Sequence, residues 1–163
     1  MPKGAPGKTE PSKASWLIWT GLDVVVAFGM YMEGALNAQI VAVLIGASIA
    51  IFFVMRYGIT EWTGTDKFCL IGGVVGMGLI LFSNPLLGLI TSLVIMCLGS
   101  IPTFISVWKD PGRENKLAWM LFAAGSICSV ATIPKWTLAD AAQPITFLAV
   151  QIVVLGISYG KPR

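Results

Sequence analysis

Few residues of this sequence carry chemistry away from its ends and loops, and Asp23 comes first among them. It is the only acid set well inside an apolar run. A carboxylate at mid-helix in a bilayer costs about 2.5–3.5 kcal/mol on insertion scales. Such a group must be protonated, paired or turned toward a polar cavity. Trp16, Trp19, Thr20, Ala27 and Met30 share or border its helical face, at spacings of three, four and seven. Two readings stay open: a cavity-lining site for a proton or solute, and a hydrogen-bonded packing residue between helices. Gln151 stands at a similar depth in the last apolar run. Its amide could bond Asp23, a substrate hydroxyl or a neighbouring helix. Ser126 offers a hydroxyl that either joins such a site or returns to its own helix backbone, as Ser129, Ser92 and Thr91 also could. The candidate substrate contacts are therefore Asp23, Gln151, Trp19 and Ser126.

Much other chemistry is excluded. The sequence holds no histidine, the commonest general base and metal ligand. Cys69, Cys97 and Cys128 lie singly in three separate apolar runs without a CxxC spacing, so they read as small buried apolar residues. Gly72-Gly73-Val74-Val75-Gly76 is embedded in an apolar run and cannot cradle a phosphate. No nucleophile and base stand in a recognisable pattern. Neither an enzyme, a metal site nor a cofactor is expected. The net charge of +3 comes from basic residues scattered among loops, which does not suit nucleic acid.

The elements that must position these groups are membrane helices. The chain has 163 residues, 56% of them hydrophobic and only 12% charged, too little charge to cover a soluble surface. No polar stretch is long enough for a second domain. Residues 1–14 are rich in Pro, Gly and Lys and read as a flexible lead-in, with no cleavable signal peptide. Six apolar spans follow, at about 15–32, 38–56, 67–83, 85–108, 116–133 and 141–159. Each meets the roughly 17–25 residues that a bilayer crossing requires. The expected fold is an all-α membrane protein with six transmembrane helices in the lipid bilayer.

Basic residues orient the spans. Of eleven Lys and Arg, Lys135 alone falls in the loops of one side. The other ten lie at the two termini, in the Arg56–Lys67 loop and in the Lys109–Lys116 loop. This bias places both termini in the cytoplasm. Trp16, Trp19, Trp108 and Trp119 gather near that side, as interfacial tryptophans do, or as a stacking platform for a substrate would. Gly72 and Gly76 form a GxxxG that lets two helix backbones approach closely. Pro102 follows Gly99 and Ser100 and predicts a kink in the fourth span, facing protein or a wet cavity.

The chain also echoes itself. PSKASWLIW leads into the first span and GRENKLAWM into the fifth, matching Trp19 with Trp119. The spans that follow begin near Gln39 and Gln143 and end in Tyr57-Gly58 and Tyr159-Gly160. With the fourth span added, the second unit has three helices. Three helices, a linker and three helices is the plan of the SWEET and PQ-loop transporters, and the second unit resembles one of their triple-helix bundles over its whole length. Pro102 stands where those families place a proline, and KDPGRENKLAW resembles their short charged loop. The stretch ASWLIWT is similar to a motif of small bacterial membrane proteins.

That resemblance implies an incomplete first repeat of two helices at 15–58, a linker and linker helix at 59–84, and a complete second repeat at 85–163. The first repeat lacks its first helix. The Pro-Gln pair of the family is absent, since Thr103 follows Pro102. Gln39 and Gln143 lie near the positions where the family carries asparagine. The tryptophan the family places near the outer end of its second helix is replaced by residues around Tyr31 and Ala131. The function implied is transport of a small polar solute by alternating access, with Pro102 as hinge, in a bacterial inner membrane. A homo-oligomer would cover the face left by the missing helix. The alternative is a non-transporting scaffold or accessory subunit whose GxxxG and small-residue faces pack against a partner.

Overall fold

The computed structural model describes residues 12–60, 62–111 and 115–160. Lys3, Lys8, Arg113, Lys161 and Arg163, which enter the charge argument, lie outside the described residues. The described chain is helical: α1 (Lys13–Met32), α2 (Ala38–Tyr57), α3 (Gly64–Phe82), α4 (Pro85–Gly99), α5 (Ile101–Lys109), α6 (Lys116–Ala131) and α7 (Leu138–Ser158). Among the described residues the only bridge of β type pairs Ser12 with Ile59.

Local sequence sets these boundaries. Ser12, Asn37, Thr63, Asn84, Asn115 and Thr137 each precede a helix and accept a backbone N–H through the side chain. Thr63 and Asp66 form a reciprocal capping box. The end of α1 is a Schellman turn: Ala35 N donates to Met30 O at 2.8 Å and Gly34 N to Tyr31 O at 3.0 Å. Gly34 sits at φ +67°, a left-handed conformation that glycine adopts without strain. The lead-in expected through residue 14 gives way earlier, because the Ser12 cap starts α1 at Lys13.

Among the described residues five stretches are long and apolar enough to cross a membrane: α1, α2, α3, the 25-residue run Pro85–Lys109, and α7. The expected fifth span is shorter than predicted. Helix α6 has 16 residues and stops at Ala131, because Thr132 turns its hydroxyl back to Cys128 O and the chain bends at Pro134. At 1.5 Å per residue it spans about 24 Å, against a hydrocarbon core of about 30 Å. The protein is thus a multi-pass helical membrane protein with one short apolar helix among longer ones. Apolar side chains such as Ile45, Ile49, Phe52, Ile71, Val74 and Leu121 face outward, as lipid requires.

The core is built on α1. Ile18, Leu22, Val26 and Met30 pack with Cys69, Leu89, Leu93 and Met96 from α3 and α4 and with Ile40 from α2. Helices α3 and α4 form the closest seam. A Cβ on Gly88 would lie 2.6 Å from Gly76 O and 2.8 Å from Ile80 N, and one on Gly76 would collide with the Ser92 hydroxyl. The predicted GxxxG is spent on this internal contact. The predicted kink lies at Ser100, between α4 and α5. Pro102 cannot donate to Leu98 O, and the Ser100 hydroxyl bonds Met96 O at 2.9 Å just before the break. Helix α7 packs against α6, α5 and α4.

The two ends of the bundle differ. At the basic end, Lys13 N donates to Ile59 O at 2.9 Å and the Ser15 hydroxyl to Asp66 Oδ1 at 2.7 Å. The start of α1, the end of α2 and the start of α3 therefore meet there. The α1–α2 and α6–α7 turns meet at the far end.

Candidate functional site

Gln151 and Ser126 are both inside the protein, 7% and 0% exposed. Their polar groups meet between α6 and α7, with 2.6 Å between the Ser126 hydroxyl and the Gln151 amide. The amide orientation that satisfies every neighbour points Gln151 Nε2 at Ser126 Oγ and at the carbonyls of Phe147 and Phe122, 3.2 and 3.3 Å away. Its Oε1 then accepts from the Ser126 hydroxyl at 3.2 Å. Gln39 reaches the same serine from α2, its Nε2 donating to Ser126 Oγ at 2.5 Å. One hydroxyl thus ties three helices together. The sequence offers Gln151 a bond to Asp23, a solute or a neighbouring helix, and the structure joins it to the neighbouring helix through Ser126.

A second link lies nearer the far end. Asn37 Nδ2 donates to Gln143 Oε1 at 2.9 Å, while Asn37 Oδ1 caps α2 by accepting from Ile40 N at 3.0 Å. Gln143 has no exposed surface. Its Nε2 is sealed and unpaired, and so is Gln39 Oε1. A buried polar atom without a partner costs about 1–3 kcal/mol, and a satisfied hydrogen bond returns a net of about 0.5–1.5 kcal/mol. Each glutamine therefore gains from one half of its amide and loses with the other. The network holds, but weakly.

Asp23 is 8% exposed on the core side of α1. No described side chain donates to its carboxylate, and its oxygens are not among the sealed unpaired atoms. It keeps a small exposed area. Neither alternative is singled out: among the described residues Asp23 has no side-chain hydrogen-bond partner, and neither of the hollows at the two ends reaches it. Trp19 is half-buried and packs on the core beside Gly99, where its ring would lie 3.5 Å from an added Cβ. Gly99 is the last residue of α4, so Trp19 packs beside the α4–α5 break. Ser129 is half-buried, and Ser92 returns its hydroxyl to Gly88 O at 2.9 Å.

Two hollows bear on access. A groove at the basic end, of about 500 Å³, is lined by Trp108, Lys109, Pro111, Val153, Gly156, Ile157 and Gly160. A smaller one at the far end, about 80 Å³, lies between the two hairpin turns and is lined by Gly34, Asn37, Ser129, Thr132, Pro134 and Asp140, among others. Neither includes Asp23 or Gln151 in its lining. No cluster of three or more potential metal ligands occurs among the described residues.

Several polar groups of the structure escape a reading of hydropathy alone. Asp66 is buried although it stands at a helix start, held by Thr63 N, Thr63 Oγ1 and Ser15 Oγ. The spacing Thr63-x-x-Asp66 is the signal that identifies it. Asn37 and Gln143 carry a weaker signal, a polar residue beside or inside an apolar run. Pro144 follows Gln143 within α7 and cannot donate to Asp140 O, which loosens the helix beside the far hollow. No protein-family model matches the chain, and neither a curated protein nor a solved structure is significantly similar to it.

Proposed function

We propose that the protein carries a small polar solute across the membrane by alternating access, in the manner of the SWEET and PQ-loop proteins that its second half resembles. One observation carries this reading: Ser126 gathers Gln39 and Gln151 from two other helices at a buried position. Uncharged amides and a hydroxyl suit a solute that exchanges hydrogen bonds with them one at a time. Asp23, buried without a side-chain partner among the described residues, adds a polar contact. The break before Pro102 supplies a hinge, and α7, packed against α4, α5 and α6, supports a three-helix second unit. In this reading the basic end is cytoplasmic, and the sealed polar cluster belongs to an occluded conformation. A second copy could cover the sparsely packed outer faces of α2 and α6.

The scaffold alternative keeps open small-residue positions such as Gly46, Gly125 and Gly156, while its GxxxG is occupied by α4. Thermal unfolding in detergent separates the two readings. Glucose, sucrose and glycerol serve as probes, and a ligand at about 100 times its Kd adds about 2.7 kcal/mol. At least one probe should raise the melting temperature of the wild type and lose that effect in Gln151→Leu. Identical curves with and without all three probes, together with a stoichiometric protein partner on pull-down, would favour the scaffold.

A further inference from the structure

The geometry points to a far-end door between the two hairpins, latched by Asn37–Gln143 and Gln39–Ser126. It rests on the transport reading and adds to it the place where the solute path opens. Among the described residues these are the two side-chain hydrogen bonds that join the α1–α2 hairpin to the α6–α7 hairpin. They are also related by the repeat. Gln39 and Gln143 are the matched glutamines of the two units, and each engages the opposite hairpin: Gln39 reaches α6, and Asn37, two residues before it, holds Gln143 on α7. A latch built this way releases both hairpins together.

Three further observations fit a door better than a permanent seam. Each matched glutamine leaves one amide atom buried and unpaired, Gln39 Oε1 and Gln143 Nε2, which water would satisfy on opening. A hollow already lies between the turns, and Asn37 both lines it and holds Gln143 behind it. Helix α7 is weakened next to the latch by Pro144, which removes one hydrogen bond of its first turns. Ser126 couples the door to the buried site, because the hydroxyl that receives Gln39 also bonds Gln151.

The test uses spin labels at Leu36→Cys and Ile133→Cys, one on each turn, with Cys69, Cys97 and Cys128 replaced by alanine. The doubly labelled protein in nanodiscs should give a short, narrow distance. Adding Gln39→Met and Gln143→Met, which keep size and remove both latches, should lengthen the mean by about one helical turn, ~5 Å. Asn37→Asp is the second variant, since it keeps the cap on α2 and removes the donor to Gln143. It should broaden the distribution in the same direction. A distance unchanged in both variants overturns the door. The measurement is independent of solute uptake. Opening without any uptake would leave the door standing and remove the transport reading, whereas uptake with an unaltered distance would do the reverse.

Discussion

At the scale of single residues, the account turns on polar atoms in an apolar setting. Ser126→Ala takes a hydrogen bond from two amides at once, Gln39 and Gln151, and leaves Gln39 with none among the described residues. Gln151→Leu leaves the serine still bonded by Gln39. Unfolding in detergent should therefore show a loss of about 1–3 kcal/mol for Ser126→Ala and a smaller one for Gln151→Leu. The reverse order would mean that the serine is not the hub. Among the described residues Asp23 has no side-chain partner to lose, so Asp23→Leu should raise stability by on the order of 1 kcal/mol or more while lowering transport. A marked loss of stability would instead reveal a structural bond. The sequence shows Asp23, Gln151 and Ser126 as polar residues in apolar spans. It cannot show that Ser126 joins Gln151 to Gln39, because three helices contribute and no spacing along the chain records their packing.

At the scale of elements, caps and close approaches decide the architecture. The Ser12 cap that starts α1 two residues before the apolar run at 15–32 is not legible in the sequence, since hydropathy marks the span and not its cap, whereas the break at Pro102 is legible. The short α6 is less so, because its apolar run continues through Val130 and Ile133 although Thr132 has already turned the backbone. The partner of the Gly72–Gly76 face is also beyond a sequence reading, since Gly88 and Ser92 become visible as its complement only once α3 and α4 are packed. This seam gives a graded prediction. Gly88→Ala meets backbone atoms that cannot move aside and should cost about 1–3 kcal/mol. Gly125→Ala, with nothing within 4 Å, should be neutral or stabilising in the same thermal assay. Equal effects of the two would contradict the packing of α3 on α4.

At the scale of the whole molecule, the charge bias and the two-ended architecture make a joint prediction. In a cysteine-free background, an impermeant maleimide should label Lys135→Cys on intact cells and Lys67→Cys only after permeabilisation. The opposite pattern would invert the proposed orientation. The expectation of a repeat belongs to this scale and rests on the sequence matches of Trp19 with Trp119, Gln39 with Gln143, and the two Tyr-Gly endings. Its physical consequence is not legible there, because matched residues in sequence need not touch in space. The most direct test of the account is uptake of radiolabelled glucose, sucrose and glycerol into liposomes containing the wild-type protein or Gln151→Leu. The account predicts uptake of at least one solute above empty liposomes, reduced about tenfold in Gln151→Leu, equivalent to about 1.4 kcal/mol of lost stabilisation. Uptake that survives Gln151→Leu and Asp23→Asn unchanged would contradict it.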